Sequence, residues 1–294
     1  MRPFFENNVL QQQPFKPMII VVDTTKAGSA SNTFVLPIIK ATTETVKIYW
    51  GDGTNSTGVN GNNTHVYAAS GIYTVKIESR LFGGIYFNNL GDKAKITKIA
   101  NYGQGVSRLN IGSFFGCSSL LSIDIGNIVS NGADATNQYR GCTALTNVPL
   151  FNLSNCTNAY AMFYQCTALT TVPLLNLSSV TNAYAMFAYC PVTTVPLFNL
   201  SNCTSTRSMF YQCTALTTVP LFDLSSCTNA SNMFSGVTLT TTSYSDFLIN
   251  LATLPLQSGV SFHGGNSKYN PAAAIARAYL ISNFGWTITD GGAA

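Results

Sequence analysis

CTALTNVPLFNLSNCTNAYAMFYQ, residues 142–165, is one turn of a pattern that runs through the second half of the chain. Its apolar positions are Cys142, Leu145, Val148, Leu150, Leu153, Cys156, Ala159, Met162 and Phe163, separated mostly by three residues and once by two. The same columns recur upstream and downstream. Cys117, Cys142, Cys166, Cys190 and Cys213 follow one another at steps of 25, 24, 24 and 23. Pro149, Pro173, Pro196 and Pro220 keep that step, as do the pairs Met162-Phe163, Met186-Phe187, Met209-Phe210 and Met233-Phe234. A period of this length is too short for two packed helices and suits one coil of a leucine-rich array. Each coil should hold a short strand followed by turns, in a parallel sheet kept narrow by the proline column, which lacks the N–H that a ladder needs.

Exact repetition marks packing rather than chemistry. MFYQCTALTTVPL occurs at 162–174 and again at 209–221, two coils later. The eight cysteines fall into the same columns, and at two places a column holds valine instead, Val180 and Val237. Valine replaces apolar volume but cannot supply half of a bond, so stacked buried thiols are expected rather than disulfides. Zinc-type CxxC spacing is absent and the chain has two histidines, so no metal and no cofactor is expected.

Composition narrows the partners. Charged residues make up 9% of the chain, against about 25% in ordinary soluble proteins. The net charge of +4 is spread thinly, with a small knot at Lys93, Lys95 and Lys98. No basic run tracks a phosphate backbone, so nucleic acid is not an expected partner. The longest early apolar stretch is MIIVV at 18–22, far short of a membrane span. The opening MRPFFENNVLQQQPFKP has no secretory h-region or small-residue cleavage site, so export by that route is not expected.

The first third has a different grain. VKIYWGDGT at 46–54 and HVYAASGIYTVKIES at 65–79 alternate with period two around a polar Gly/Asn loop, as paired strands do. Trp50, Gly51, Asp52, Gly53 and Thr54, followed by His65, Tyr67, Gly71, Tyr73 and Val75, resemble the signature of the polycystic-kidney-disease (PKD) immunoglobulin-like domain over residues 18–80. The array at about 96–243 in turn resembles the leucine-rich repeats of BspA-type bacterial surface proteins. Their N-x-x-x-M-F-x-x-C unit appears at Asn158, Met162, Phe163 and Cys166 and again at Asn182, Met186, Phe187 and Cys190. These resemblances imply a mainly β fold: an immunoglobulin-like β-sandwich followed by a leucine-rich-repeat solenoid with short helical caps. The expected divisions are an arm at 1–17, the sandwich at 18–80, an N-terminal cap at 81–112, repeats at 113–243 and a C-terminal cap at 244–294. In that last cap, YSDFLINLATL and PAAAIARAYLISNFGWTITDGG read as two short helices and a strand.

For candidate sites, the Met-Phe columns read as core. The column Phe151, Leu175, Phe198, Phe222, pointing opposite to Leu150 and its equivalents, is either a second core layer or an exposed stripe. Tyr160, Tyr164, Tyr184, Tyr189 and Tyr211 cluster on the same coils; of these Tyr160, Tyr164, Tyr184 and Tyr211, with Arg207 in place of a tyrosine, form the candidate recognition surface, since tyrosines bring contact area at low entropic cost, the alternative being that they are spacers. Asp52 and His65 read as turn-setting residues, with a calcium site using Asp52 as the alternative. His263 has no nucleophile at recognisable spacing, and GDGT and GGNSK lack the P-loop frame. Between 141 and 243 the charged residues are Arg207 and Asp223, so the array offers no carboxylate pair for hydrolysis.

No catalytic residue is expected. The function this favours is a structural and adhesive protein on a bacteriophage particle, as head decoration or fibre. Its arm, through Phe4, Phe5 and Phe15, would dock onto a capsid or tail protein, and its repeats would contact a host surface protein or glycan. The alternative is a bacterial cell-surface adhesin of the BspA type. Membrane insertion is not expected, and self-association is left open. The thiol reading gives a direct test: reducing agent should leave the melting temperature almost unchanged, whereas a drop of many degrees would show bridged cysteines.

Overall fold

The computed structural model describes residues 16–40, 45–79, 82–103, 112–124, 133–151 and 153–294. The chain is mainly β with few helices. Its first part builds two sheets, antiparallel but for one parallel pair at an edge. Strands β1 (Met18–Asp23), β2 (Thr33–Lys40), β3 (Val46–Tyr49), β4 (Asn55–Gly58), β5 (Gly61–Val66), β6 (Ile72–Glu78) and β7 (Phe82–Ile85) precede the longer β8 (Ile96–Tyr102) and the two-residue β9 (Ser122–Ile123). One sheet has the order β4-β3-β6-β1-β8-β9 and the other β5-β2-β7. Alternation decides which faces are covered. Met18, Ile20 and Val22 of β1 are buried with Val75 and Ile77 of β6 and Val46 and Ile48 of β3, while Phe34, Leu36 and Ile38 are buried from β2. The two buried faces meet: Ile48 and Ile38 lie 3.1 and 3.2 Å from the point where a Cβ on Gly58 would sit.

The β8 strand ties the two halves of the molecule together. It pairs antiparallel with β1, Ile20 opposite Ile99, and parallel with β9, Ile99 opposite Ile123. The first coil therefore continues the N-terminal sheet. Just before β8, Asp92 and Lys95 are both buried. Asp92 accepts from Ser29 N and Oγ at 2.6 Å each and from Val35 N at 2.7 Å. Lys95 Nζ donates to the carbonyls of Ser29, Ala30 and Thr33 at 2.7–3.0 Å and lies 3.8 Å from Asp92. Of the small knot at Lys93, Lys95 and Lys98, the middle member is thus an internal clamp. Its chain closes the β1–β2 loop over the start of the array, and burial pushes its pKa down against the opposing pull of Asp92.

From residue 133 the coils stack on one another. The parallel bridges run Asp134 to Asn158, Asn158 to Asn182, Asn182 to Ser205 and Ser205 to Asn229. In each coil alternate N–H groups donate to the next coil: Ala159, Ala161, Phe163 and Gln165 to the carbonyls of Asn182, Tyr184, Met186 and Ala188, at 2.8–2.9 Å. The strand expected in every coil is absent: among the described residues after β9, no strand forms at 146–151 or its equivalents. The proline column explains this. It removes a donor from each coil on that side, and contact there falls to single bonds such as Thr193 N to Thr170 O, 3.1 Å. The ladder sits instead on the Asn-to-Met-Phe side. Threonines support it, with Thr157, Thr181, Thr204 and Thr228 each donating a hydroxyl to the preceding coil at 3.0–3.1 Å.

Stacked coils bring equal residues into register inside. Phe114, Tyr139, Phe163, Phe187, Phe210 and Phe234 form a continuous file of near-parallel rings, centroids 5.6–5.8 Å apart and planes within 8°. The column left open in the sequence is buried: Phe151, Leu175, Phe198 and Phe222 make the second core layer. Its neighbour is the correction. Leu150, Leu174, Leu197 and Leu221, assigned to the interior from their spacing, are 47–59% exposed. Adjacent residues in extended backbone face opposite ways, so burying Phe151, Leu175, Phe198 and Phe222 turns the preceding leucine outward.

All eight cysteines are free and buried. Burial pushes up the thiols of Cys117, Cys142, Cys166, Cys190, Cys203 and Cys213, and that of Cys156 to about 11. They are also more than small hydrophobes. The Sγ atoms of Cys166, Cys190 and Cys213 each donate to the carbonyl of Tyr139, Phe163 and Phe187 in the preceding coil, at 3.0–3.2 Å.

The C-terminal segment closes the stack with α1 (Thr241–Leu251), β10 (Ser261–His263), α2 (Pro271–Phe284) and β11 (Thr287–Thr289). Two helices and a strand were expected; β10 is the addition. It serves as a last rung, with Ala230 N and Phe234 N donating to Ser261 O and His263 O, and it pairs in parallel with β11. Phe247 and Phe262 turn edge-on to Phe234 and end the ring file. Asn270 caps α2 by accepting from Ala273 N, and Gly285 ends it at φ 65°.

Neighbouring residues in one coil give the test. Phe198→Ala should cost about 3–5 kcal/mol, and Leu197→Ala no more than about 0.5 kcal/mol. Chemical denaturation of both variants showing equal losses would refute the assignment of inside and outside.

Candidate recognition surface

Two turn positions in each coil lie in the left-handed region. The first is filled by Asn137, Ala161, Ala185, Ser208 and Asn232, at φ 51–58°. The second is filled by Gly116, Gly141 and Gly236 in some coils and by Gln165, Tyr189 and Gln212 in others, at φ 58–81°. Left-handed residues interleaved with ordinary ones make the tight turns that aim alternate N–H groups at the next coil. Tyr160, Tyr164, Tyr184 and Tyr211 stand beside these turns, and Tyr189 occupies one of the left-handed positions itself.

They form two files. In the first, Tyr160 and Tyr184 meet edge to face at 5.1 Å, and the Arg207 guanidinium lies 5.2 Å over Tyr184. In the second, Arg140 lies over Phe115 at 5.2 Å and over Tyr164 at 4.6 Å, and the rings continue through Tyr189 to Tyr211 at 5.3 Å each. The structure therefore joins Tyr160, Tyr184 and Arg207, and joins Tyr164 with Tyr211 only through Tyr189. Sequence alignment of the coils puts Ala188 between Tyr164 and Tyr211, but Ala188 is buried. Tyr189, one residue on and at φ 63°, swings its ring into the gap. Burial and its tyrosine neighbours raise its pKa. Arg140 was missed; the signal was its place in the Tyr164 column, one coil earlier. Phe4, Phe5 and Phe15 lie outside the described residues.

The N-terminal signature residues assemble into one network. Asp52 accepts from Thr54 N at 3.0 Å, Thr54 Oγ1 at 2.6 Å and His65 Nε2 at 2.7 Å. The His65 ring stacks on Trp50 at 4.8 Å, and Tyr67 Oη donates to the Trp50 carbonyl at 3.0 Å. Gly51, at φ 91°, has the Thr74 carbonyl 2.6 Å from where a Cβ would be, so no other residue fits there. The pattern W-G-D-G-T followed by H-x-Y is thus a turn locked to the facing strand. Partial burial pushes Asp52 up, but the bonds from Thr54 and His65 outweigh it and hold the carboxyl at about 2.

His263 sits on β10, where Nδ1 accepts from Gly265 N at 3.0 Å. Burial lowers its pKa, partly offset by Asp290. Asp290 itself is held by Tyr244 Oη at 2.9 Å and Arg277 Nε at 2.8 Å, which locks the end cap. Among the described residues no group of three or more His, Cys, Asp or Glu side chains converges, and no helix is long and apolar enough to cross a membrane.

The Asp52 network carries a pH prediction. Its folded pKa of about 2 lies below the ordinary 3.8. Its stabilisation is therefore complete above the unfolded pKa and lost as pH falls through the folded one. Melting curves of the wild type and Asp52→Asn should differ at neutral pH and converge between about pH 4 and pH 2; a constant gap would show that Asp52 is not the titrating group.

Residues 129–247, which carry both tyrosine files, match the family described as Mycoplasma protein of unknown function, DUF285, a BspA-like repeat family. The chain matches no curated protein and no solved structure.

Proposed function

We propose that the protein is a non-enzymatic recognition scaffold: a PKD-like immunoglobulin sandwich leading into a leucine-rich-repeat solenoid whose turn face binds a host surface protein or glycan. The observation that carries this reading is the pair of tyrosine files, each joined to an arginine, on a rigid surface almost free of charge. Rings fixed by coil stacking lose little entropy on binding, and their hydroxyls add hydrogen bonds. The crossed register of β1, β6 and β8 and the meeting of the two sheets at Gly58 support the sandwich. The in-register bridges from Asp134 to Asn229 support the solenoid.

The setting we propose is the outside of a bacteriophage particle. There the apolar arm, with Phe4, Phe5 and Phe15, docks onto a capsid or tail protein. The second reading is a bacterial cell-surface adhesin of the BspA type, which the match of 129–247 to a family of Mycoplasma proteins favours.

Binding to intact host cells tests the face. Tyr160→Ala combined with Tyr211→Ala should weaken it about tenfold or more while far-UV circular dichroism stays unchanged. Undiminished binding would remove the tyrosine face from the reading. Deleting residues 1–17 should leave a folded protein that no longer joins particles, and retained incorporation would reject the docking arm.

A further inference from the structure

The two arginines of the tyrosine face differ from Lys95 and Arg277. Lys95 faces Asp92, and Arg277 is bound to Asp290 at 2.8 Å. Arg140 and Arg207 make no ion pair among the described residues. The polar contact of Arg140 is a long one, Nη1 to Asn137 Oδ1 at 3.4 Å. What holds both is aromatic: Phe115 and Tyr164 sandwich one guanidinium, and Tyr184 lies under the other. Stacking covers the flat faces of a guanidinium and leaves its N–H edge pointing outward, five donors in a fork that fits a carboxylate or phosphate.

No acid competes for those edges. Asp134 is committed to Thr136 N at 2.8 Å and to Asn158 Nδ2 at 3.3 Å. Asp223 belongs to the opposite segment of its coil, in the column of Asn176 and Asn199, and accepts from Ser225 N at 2.9 Å. The turn face therefore carries two cations without an ion pair, Arg140 and Arg207, and one carboxylate, Asp134, held by neutral donors. Asp134 and Ser205, three bridges apart, start the coils that hold Arg140 and Arg207. At strand spacing that separates the two cations by about 14 Å along the stack. Two cations so far apart do not suit a nucleic-acid backbone, which carries a charge every ~1.7 Å of duplex axis. They suit a polymer with one acidic group on every few units, whose intervening rings lie on tyrosines.

We propose that the ligand of this face is an anionic glycan, an extended chain bearing carboxylates or phosphates, gripped at two points by Arg140 and Arg207 and lying across the tyrosines between them. This inference rests on the recognition reading given above.

Matched polymers test it on the full chain: polygalacturonate, its neutral methyl ester, and a phosphomannan, by biolayer interferometry. At least one acidic polymer should bind about tenfold or more tightly than the ester, and which one does so identifies the anion. Arg207→Gln and Arg140→Gln should each weaken that binding about tenfold, the size expected for one charge-assisted hydrogen bond. Arg207→Lys should fall between wild type and Arg207→Gln. Arg207 is exposed, so its variants report binding even where Arg140→Gln disturbs a coil. Equal binding of acid and ester, or indifference to both substitutions, overturns the anionic ligand and leaves recognition by the tyrosines standing. Loss of all polymer binding with retained binding to host cells overturns it in favour of a protein ligand. Absence of both overturns the recognition reading itself.

Discussion

The constraint that everything in the second half obeys is the hydrogen bond from alternate peptide N–H groups of one coil to the carbonyls of the next. Because Ala159, Ala161, Phe163 and Gln165 donate to Asn182, Tyr184, Met186 and Ala188 with no slip, a residue always lies against its counterpart one coil away. A side chain that packs well on itself can then be used again and again. Phenylalanine stacks on phenylalanine, and asparagine bonds to asparagine, as in Asn182 Nδ2 to Asn158 Oδ1 at 3.0 Å. Threonine hydroxyls bond to the preceding threonine carbonyl, Thr181 to Thr157. Like charges cannot repeat along such a ladder, because stacked at strand spacing they repel. The scarcity of charge in the array follows from its geometry.

Cysteine fits the same rule. The thiol is small enough for the crowded corner beside the ring file, and its weak S–H supplies a donor to a carbonyl of the previous coil. Alanine would lose that contact, and serine would bury a hydroxyl that needs a strong partner. Ends of such a stack need separate treatment, since an open coil would present unpaired backbone and bare rings. At the start, the N-terminal sheet supplies β1 as a neighbour for β8, clamped by Asp92 and Lys95. At the finish, β10 accepts the last bonds, and Phe247 and Phe262 cover the last ring, with Trp286 packed on Phe262.

The tyrosine face arises from the same turns that make the ladder. Left-handed residues at fixed places hold the neighbouring tyrosines outward at coil spacing, so the surface is as regular as the core. Most of its members were legible as columns: Tyr160, Tyr184 and Arg207 stand one coil apart and touch. Column counting failed where two adjacent positions exchange duties. Ala188 aligns with Tyr164 and Tyr211, yet the ring between them is that of Tyr189, because an alanine leaves a hole that a neighbouring side chain can reach. Arg140 escaped notice since its partner in the stack is aromatic, and stacking leaves no complementary charge in the sequence.

Periodicity by itself determined that the second half is a stack of coils, that Met, Phe, Cys and Leu columns fill it, and that its cysteines are unpaired. These follow from local spacing, because the in-register stack repeats one environment. The tertiary structure alone decided which of two adjacent apolar columns faces in, and the aromatic column won the interior while Leu150, Leu174, Leu197 and Leu221 turned outward. It also decided that the coils bond along the turn side rather than through strands, since each proline removes a donor where a strand would need one. The junction was equally invisible: β8 joins β1, and Lys95 reaches carbonyls more than sixty residues away. Pairings over that distance depend on the path of the whole chain, and no local pattern records them.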